Sequence, residues 1–207
     1  MEMALNNKYD HSDHGSRQFT WDKKTAVWYA AEYGDHISNN LAITNIILRA
    51  NDILLDIGCG NGKAARLAAK ICTSGKVIGI DPTATMIRIA RKTTYKNYTN
   101  LEFRTGCAEK IPYPNESFSI ATAINSLHHW QNYEKGLLEI NRVLCPDGSL
   151  FIANDIVDGD TCGHGDGPLE KPKQITSILD HAGFINISIK KYYNEETGIY
   201  LISSKKP

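Results

Sequence analysis

The sequence has no excess of either charge, because 23 lysine and arginine residues are matched by 23 aspartate and glutamate residues in a chain of 207. Proteins that bind nucleic acid usually carry a basic surplus, so this balance argues against nucleic acid as the main partner. No apolar run approaches the about 20 residues that a membrane-spanning helix needs. Residues 1–17 are polar and lack the apolar core of a signal peptide. We therefore expect a cytoplasmic chain without a membrane span.

Cysteine is scarce and scattered, and none of the five cysteines lies in a Cys-x-x-Cys pair. An odd, unclustered set argues against a disulfide framework. We interpret Cys59, Cys72, Cys107, Cys145 and Cys162 as reduced thiols, most simply small buried side chains. The sequence also shows no set of histidine, cysteine and acidic residues with metal-ligand spacing, so we predict no metal site.

Strand and helix patterns alternate from residue 52 onward, as apolar runs give way to apolar residues at helical spacing. The predicted strands are 53–57, 76–80, 101–104, 118–124, 149–153, 185–191 and 198–204, and the predicted helices are 63–72, 84–94, 133–144 and 172–182. The last two strands face each other across the turn residues 194–196 as a hairpin. This order predicts an α/β fold with a doubly wound, mostly parallel seven-stranded sheet and one antiparallel strand.

Residues 1–50 differ from the rest of the chain because they are rich in aromatic side chains, including Trp21 and Trp28. We predict two or three helices here, the last near 40–49 packing on the sheet and the earlier ones lying over a ligand crevice. The chain is therefore expected to form a single domain over 1–207. It would consist of a helical N-terminal cap (1–50) and a core (51–207).

The most informative segment is the loop after the first predicted strand, which carries Gly58, Gly60 and Gly62 behind Asp56. Glycine is needed where φ is positive or where a ligand comes closer than a Cβ allows. A P-loop would need a lysine and a hydroxyl residue after the last glycine, and they are absent. Dinucleotide-binding loops use G-x-G-x-x-G, so the spacing here favours a ligand without a phosphate. The loop predicts a small-molecule site at the sheet edge.

Further segments follow this loop in an order that resembles the class I S-adenosylmethionine-dependent methyltransferases, in particular small-molecule members of the quinone-biosynthesis type. These segments are 56–62, 79–81, 106–112, 118–130, 142–148 and 181–184. The resemblance covers residues 54–201. It implies a Rossmann-like methyltransferase fold, S-adenosylmethionine as the cofactor and methyl transfer to a small-molecule acceptor. The alternatives are a cofactor-binding protein or partner subunit that does not catalyse, and a dehydrogenase.

The resemblance assigns cofactor contacts mainly to the strand ends. Asp81 would accept hydrogen bonds from ribose hydroxyls, with a helix N-cap role as the alternative. Asp56 would orient the cofactor amino group, and the backbone of Asn125 would meet the same group. Pro82 and Met86 would flank the adenine, although Met86 also suits the core. The cofactor-binding set comprises Asp56, Gly58, Cys59, Gly60, Gly62, Asp81, Pro82, Met86, Cys107, Ala108, Glu109 and Asn125.

One position departs from the family pattern. Cys107 stands where many members have an acidic residue that accepts a hydrogen bond from the adenine amino group, and a thiol is a poor acceptor. Either Glu109 or a backbone carbonyl would then replace it. The backbone N–H of Ala108 can still serve a ring nitrogen.

The acceptor side is predicted from polar and aromatic residues near the same edge. His128 and His129 are candidate proton acceptors, because imidazole titrates near neutral pH, although either could cap or pack the next helix. Asp155 would face the crevice, with a turn role as the alternative. The substrate candidates are Trp28, Tyr29, Tyr33, Trp130 and Asp155. The identity of the acceptor, the atom methylated and the oligomeric state stay open.

Overall fold

The computed structural model describes residues 20–94, 98–156 and 172–207. Predictions about residues 1–19 and Cys162 lie outside this part of the chain. The helices are α1 (Lys23–Glu32), α2 (Ser38–Thr44), α3 (Lys63–Ala69), α4 (Ala84–Thr94), α5 (Tyr133–Val143) and α6 (Pro172–His181). The strands are β1 (Ile53–Ile57), β2 (Lys76–Asp81), β3 (Leu101–Thr105), β4 (Phe118–Ile124), β5 (Leu144–Asp155), β6 (Ile185–Tyr193) and β7 (Gly198–Lys205).

The strands form one seven-stranded sheet in the order β3-β2-β1-β4-β5-β7-β6. Strand β7 runs antiparallel to both β5 and β6, and the other pairs are parallel. This confirms the predicted fold class, including the single antiparallel strand and the closing hairpin. The strand order reverses between β1 and β4, and ligands of such sheets bind beyond the carboxyl strand ends at that point. We call this space, beyond the ends of β1, β2, β4 and β5, the crevice.

The central strands are buried on both faces, as expected for parallel strands covered by helices. In β1 every residue after Ile53 is buried, and in β4 all but Ser119 are buried. One apolar cluster includes Leu137 of α5 and Leu179 of α6, and a second includes alanines of α3 and Ile43 of α2. Because full burial of an aliphatic side chain is worth about 1.5–3 kcal/mol, these two layers hold the strand ends rigidly in place.

Within residues 51–207, two element boundaries lie three or more positions from the predicted ones, and in the cap α2 ends at Thr44 instead of residue 49. Helix α3 ends at Ala69 instead of residue 72, because the amide of Ile71 returns to the carbonyl of Ala68 in a tight final turn. Strand β5 begins at Leu144 and includes the predicted turn at 146–148, with a register irregularity opposite β4. Pairing with β4 skips the turn residues: Leu144 pairs with Phe118, and the next pair joins Ser149 to Ile120.

The described part of the N-terminal cap contains α1 and α2. Helix α1 begins at an aspartate cap, since Oδ1 of Asp22 accepts a hydrogen bond from the backbone amide of Thr25 at 2.9 Å. Helix α1 contacts α4, and α2 contacts α3 and β7. No helix in residues 20–94, 98–156 and 172–207 is long and apolar enough to cross a bilayer.

Candidate functional site

The glycine loop, residues 58–62, joins the end of β1 to α3. Gly58, Gly60 and Gly62 all have positive φ, at 70°, 52° and 81°. A Cβ on Gly58 would lie 2.5 Å from Cβ of Ser126, and one on Gly62 would lie 2.4 Å from the ring of Phe103. A Cβ on Gly60 would meet no heavy atom within 4 Å. The outer two glycines therefore serve packing, whereas the middle one borders open space that a ligand can enter.

Asp81 ends β2 directly beside this open space. Its Oδ2 accepts a hydrogen bond from the amide of Gly60 at 3.0 Å, and its Oδ1 accepts one from the amide of Thr83 at 2.8 Å. Burial raises the pKa of Asp81 to about 6, so the carboxylate is ionised at neutral pH. Each carboxylate oxygen can accept a further hydrogen bond. The capping role and a ligand-binding role are therefore compatible.

Asp56 lies in β1 immediately before the loop and is almost fully buried. Its Oδ1 accepts a hydrogen bond from the hydroxyl of Thr122 at 2.9 Å, while Oδ2 has no partner among the described residues. Burial is the main cause that raises the pKa of Asp56 to about 7, and the charge of Asp81 adds to the rise. An unsatisfied buried carboxylate oxygen is costly in an empty protein. Beside the loop, this oxygen can accept a hydrogen bond from a ligand.

The segment after β3 holds the residues predicted to surround the adenine. Cys107 is half-buried, and burial raises the pKa of its thiol, which stays neutral. Oε1 of Glu109 accepts a hydrogen bond from the amide of Asn132 at the start of α5, at 3.1 Å. Met86 is 1% exposed, so its core role is satisfied without any ligand. Ala108 is buried and Pro82 is partly buried; the adenine contacts of this group stay predictions.

Asn125, at the end of β4, has a φ of 48° and connects the cap to the core. Its side chain donates to Oγ of Ser38 and to Oδ2 of Asp155, both at 3.0 Å. The amide of Asp155 donates back to Oδ1 of Asn125 at 3.0 Å. Nδ1 of His36 lies 2.8 Å from Oγ of Ser38 and 3.5 Å from Oδ2 of Asp155. The structure thus brings Asp155 to the crevice, as predicted, together with two cap residues that sequence reasoning missed.

The aromatic residues on and beside α1 lie over the crevice as one group. The rings of Trp21 and Tyr29 are 4.4 Å apart, and those of Tyr29 and Tyr33 are 5.0 Å apart. Burial, with Tyr33 beside it, raises the pKa of Tyr29 to about 12. The carboxylates of Asp155 and Asp81 contribute to this rise, so Tyr29 lies within electrostatic reach of both strand ends. Trp28 packs edge-on against Tyr33, at 5.8 Å.

The cap also lies against the glycine loop itself. A Cβ on Gly34, just after α1, would lie 2.2 Å from the side-chain nitrogen Nδ2 of Asn61 in the loop. Lys63 at the start of α3 pairs with Asp35 of the cap at 3.5 Å. These contacts close the cap over the loop end of the crevice.

The two predicted histidines lie on a short 3-10 helix, Leu127–His129, that follows β4. Their rings are 4.1 Å apart, and His129 packs edge-on against Trp21 at 5.5 Å. Trp130, predicted to contact substrate, is 6% exposed and belongs to the core cluster beneath α5, so its packing role is satisfied without any ligand. A Cβ on Gly136 of α5 would lie only 2.7 Å from its indole ring. Adjacency in sequence did not reveal that this ring turns inward.

A family model described as a methyltransferase domain matches residues 55–152, which run from β1 to β5 and include the glycine loop and Asp81. This match, over just under half of the chain, supports a class I S-adenosylmethionine-dependent methyltransferase. The cofactor of this family is S-adenosylmethionine. The open space at Gly60, the carboxylate of Asp81 and the unsatisfied oxygen of Asp56 suit a ligand that carries hydroxyl and amino donors.

Several curated methyltransferases are similar to parts of the chain. A demethylmenaquinone methyltransferase of Chlorobaculum parvum is 36% identical over 50% of this chain and 41% of its own length. The 27-O-demethylrifamycin SV methyltransferase of Amycolatopsis mediterranei is 33% identical over 65% of this chain and 48% of its own. A putative methyltransferase, YrhH of Bacillus subtilis, is 28% identical over 72% of this chain and 78% of its own length. The chain spans less than half the length of the demethylmenaquinone methyltransferase.

Solved structures share the fold at lower sequence identity. A SAM-dependent methyltransferase from Aquifex aeolicus superposes with a TM-score of 0.74 at 20% identity, covering 90% of this chain and 100% of that one. Phosphoethanolamine N-methyltransferase 2 of Haemonchus contortus, solved with S-adenosyl-L-methionine, superposes with a TM-score of 0.72 at 17% identity, covering 90% of this chain and 57% of that one. At these identities the likeness shows the fold alone.

Proposed function

We propose that this chain transfers a methyl group from S-adenosylmethionine to a small-molecule acceptor. The observation that carries the proposal is the buried carboxylate of Asp81, which is hydrogen-bonded to Gly60 where that glycine borders open space. A carboxylate at this place suits the paired hydroxyls of a ribose, because each oxygen retains acceptor capacity.

The protein's part in this reaction is to position the reacting groups and to exclude water. S-adenosylmethionine supplies a methyl group bonded to a positively charged sulfur and so brings its own electrophile. The rigid strand ends would hold the cofactor in place, and alignment with a nucleophile can be worth about 7–11 kcal/mol. The aromatic side chains on and beside α1 would close the crevice from above, which would strip hydration from the nucleophile.

A small, largely apolar or aromatic acceptor is favoured by the lining of the crevice. Trp21, Tyr29 and Tyr33 offer ring faces on the cap side. The curated relatives include enzymes named for a menaquinone precursor and a rifamycin, which are small molecules with aromatic rings. The absence of nucleic-acid partners and the cytoplasmic location remain predictions from the sequence.

Thermal shift with two competing ligands tests the cofactor assignment. A ligand present at 100 times its Kd stabilises the native state by about 2.7 kcal/mol, which raises Tm by about 5–11 °C for a domain of this size. We expect S-adenosylhomocysteine to produce such a shift and NAD to produce none. A shift with NAD alone would support a dehydrogenase and would contradict the proposal.

A non-catalytic binding protein is the second candidate, and Cys107 is the observation that favours it. Tight binding of S-adenosylhomocysteine without turnover of any acceptor would support this alternative. Methyl transfer from S-adenosylmethionine to any acceptor in a metabolite extract would exclude it.

A further inference from the structure

The hydrogen-bond network around Asn125 has a donor and acceptor pattern that is fixed by one backbone amide. The amide of Asp155 can only donate, so Oδ1 of Asn125 must be its acceptor. The two hydrogens on Nδ2 of Asn125 then go to Oγ of Ser38 and Oδ2 of Asp155. Both oxygens act as acceptors toward Asn125, and both also lie close to Nδ1 of His36.

This arrangement allows a hydrogen on Nδ1 of His36. Oδ2 of Asp155 lies 3.5 Å from Nδ1, and a carboxylate at that place can stabilise such a hydrogen. The 2.8 Å contact with Oγ of Ser38 suits either tautomer, whereas the amide of Ser38, also at 3.5 Å, donates to Nδ1 only when Nδ1 is bare. With the hydrogen on Nδ1, the lone pair resides on Nε2, which has no hydrogen-bond partner among the described residues.

The network lies at the crevice and not on a remote surface. Asn125 and Asp155 lie at the carboxyl ends of β4 and β5, two strands that pair with each other next to the switch point between β1 and β4. His36 follows the turn that lies against the glycine loop at Asn61. The side chain of His36 is 38% exposed, so a molecule in the crevice can reach it.

The carboxylate of Asp155 also has one oxygen that is free to accept a hydrogen bond. Its Oδ1 is buried and has no hydrogen-bond partner in residues 20–94, 98–156 and 172–207. A carboxylate with one unsatisfied oxygen stabilises positive charge that develops on a neighbouring imidazole. The pair therefore has the parts of a proton-accepting dyad, with Ser38 and Asn125 fixing its geometry.

We propose that His36 is the proton acceptor for the acceptor's nucleophile and that Asp155 is its positioning residue. This inference rests on the proposed methyl transfer. Nε2 takes the proton from an O–H, N–H or acidic C–H group of the acceptor. The electron pair so released forms the bond to the methyl carbon, while the carbon–sulfur bond breaks and its electron pair stays on sulfur. The proton on His36 later leaves to water.

The groups that face His36 determine how its charge behaves. Asp155 approaches from β5, and the backbone carbonyl of Tyr33 accepts the amide hydrogen of His36. The neighbouring Asp35 is paired with Lys63 of α3, which offsets its charge. Tyr29 of α1 interacts with Asp155 and stays a neutral phenol at physiological pH, since its pKa is about 12.

Nitrogen NMR of the complex with S-adenosylhomocysteine tests the geometry without any acceptor. His36→Gln identifies the His36 signal in protein labelled with ¹⁵N. We expect a hydrogen on Nδ1 and a bare Nε2 when the ring is neutral, and we expect Asp155→Asn to weaken that preference. A hydrogen on Nε2 in the wild-type protein would overturn the proposal.

Kinetics with a panel of hydroquinones, phenols and primary amines tests the chemistry. General-base catalysis typically contributes about 10²–10⁴-fold, so His36→Gln should lower kcat by that factor and leave KM for S-adenosylmethionine unchanged. The rate of the variant should keep rising with pH, as the acceptor ionises by itself. His181→Gln, on the exposed end of α6, is the matched control and should retain wild-type kcat.

The outcomes separate the two proposals. An active wild-type enzyme whose His36→Gln variant keeps full kcat would overturn the role of His36 but not the proposed function. A wild-type protein that binds S-adenosylhomocysteine and methylates neither the probes nor any component of a metabolite extract would overturn both.

Discussion

Replacement of Asp81 by asparagine should remove cofactor affinity while leaving the fold nearly as stable as before. The carboxylate accepts from the amides of Gly60 and Thr83. An asparagine keeps one oxygen but places an NH₂ group opposite the other amide, and an unsatisfied buried donor costs about 1–3 kcal/mol.

A second contribution to the free energy of unfolding of Asp81→Asn acts in the opposite direction. Burial raises the pKa of Asp81 from 3.8 to about 6, which corresponds to roughly 3 kcal/mol of penalty for keeping the charge buried at neutral pH. A neutral amide relieves that penalty. The two terms nearly cancel, so we expect the free energy of unfolding to change by no more than about 2 kcal/mol.

Affinity should respond very differently, because hydrogen bonds to a charged acceptor are worth about 1.5–3 kcal/mol each. Loss of one such bond to the ribose weakens binding by about 10- to 100-fold. Isothermal titration calorimetry with S-adenosylhomocysteine measures this change. Asp52→Asn is the control, because Asp52 is buried but lies before β1, at the opposite sheet edge. An Asp81→Asn variant with wild-type affinity would refute the assignment of this carboxylate to the ribose.

Four further predictions concern the same site. The unliganded protein should lose stability as pH rises from about 4 to 7. The reason is that the pKa of Asp56 is raised to about 7 in the folded state, so the native state retains the proton to higher pH than the unfolded state does. Chemical unfolding of Asp56→Asn should therefore show a shallower pH dependence of the free energy of unfolding. Gly60→Ala should weaken S-adenosylhomocysteine binding more than ~10-fold at a stability cost of about 1–2 kcal/mol, whereas Gly62→Ala should mainly lower Tm through its clash with Phe103. Cys107→Asp should keep or tighten cofactor binding by calorimetry, and a large loss of affinity would contradict the inferred adenine position. Deletion of residues 1–35 should abolish methyl transfer while circular dichroism still shows a folded core, and unchanged turnover would exclude a role for the cap.

Features fixed by local pattern could be predicted from the sequence. The strands and the glycine loop were found because buried parallel strands are continuous apolar runs and because positive φ requires glycine. The place of Asp81 at a strand end came from the same strand pattern, and its ribose role came from the family resemblance. These signals each lie within a few neighbouring residues, so they need no knowledge of tertiary contacts.

The network around His36 could not be predicted, because its members come together only in the folded chain. Ser38 and Asn125 are 87 positions apart, and Asn125 and Asp155 are 30 apart. The packing of Trp130 was missed for a related reason: its burial depends on the close approach of Gly136 from the next helix. Glu109 likewise makes its bond to Asn132 only once α5 is in place.

The most direct test of the account is the transfer of a labelled methyl group. The protein is incubated with S-adenosylmethionine carrying a trideuterated methyl group and with a metabolite extract, and products are found by mass spectrometry. The account predicts at least one small molecule that gains the labelled methyl with the wild-type protein and not with Asp81→Asn. Tight binding of S-adenosylmethionine with no labelled product would contradict it.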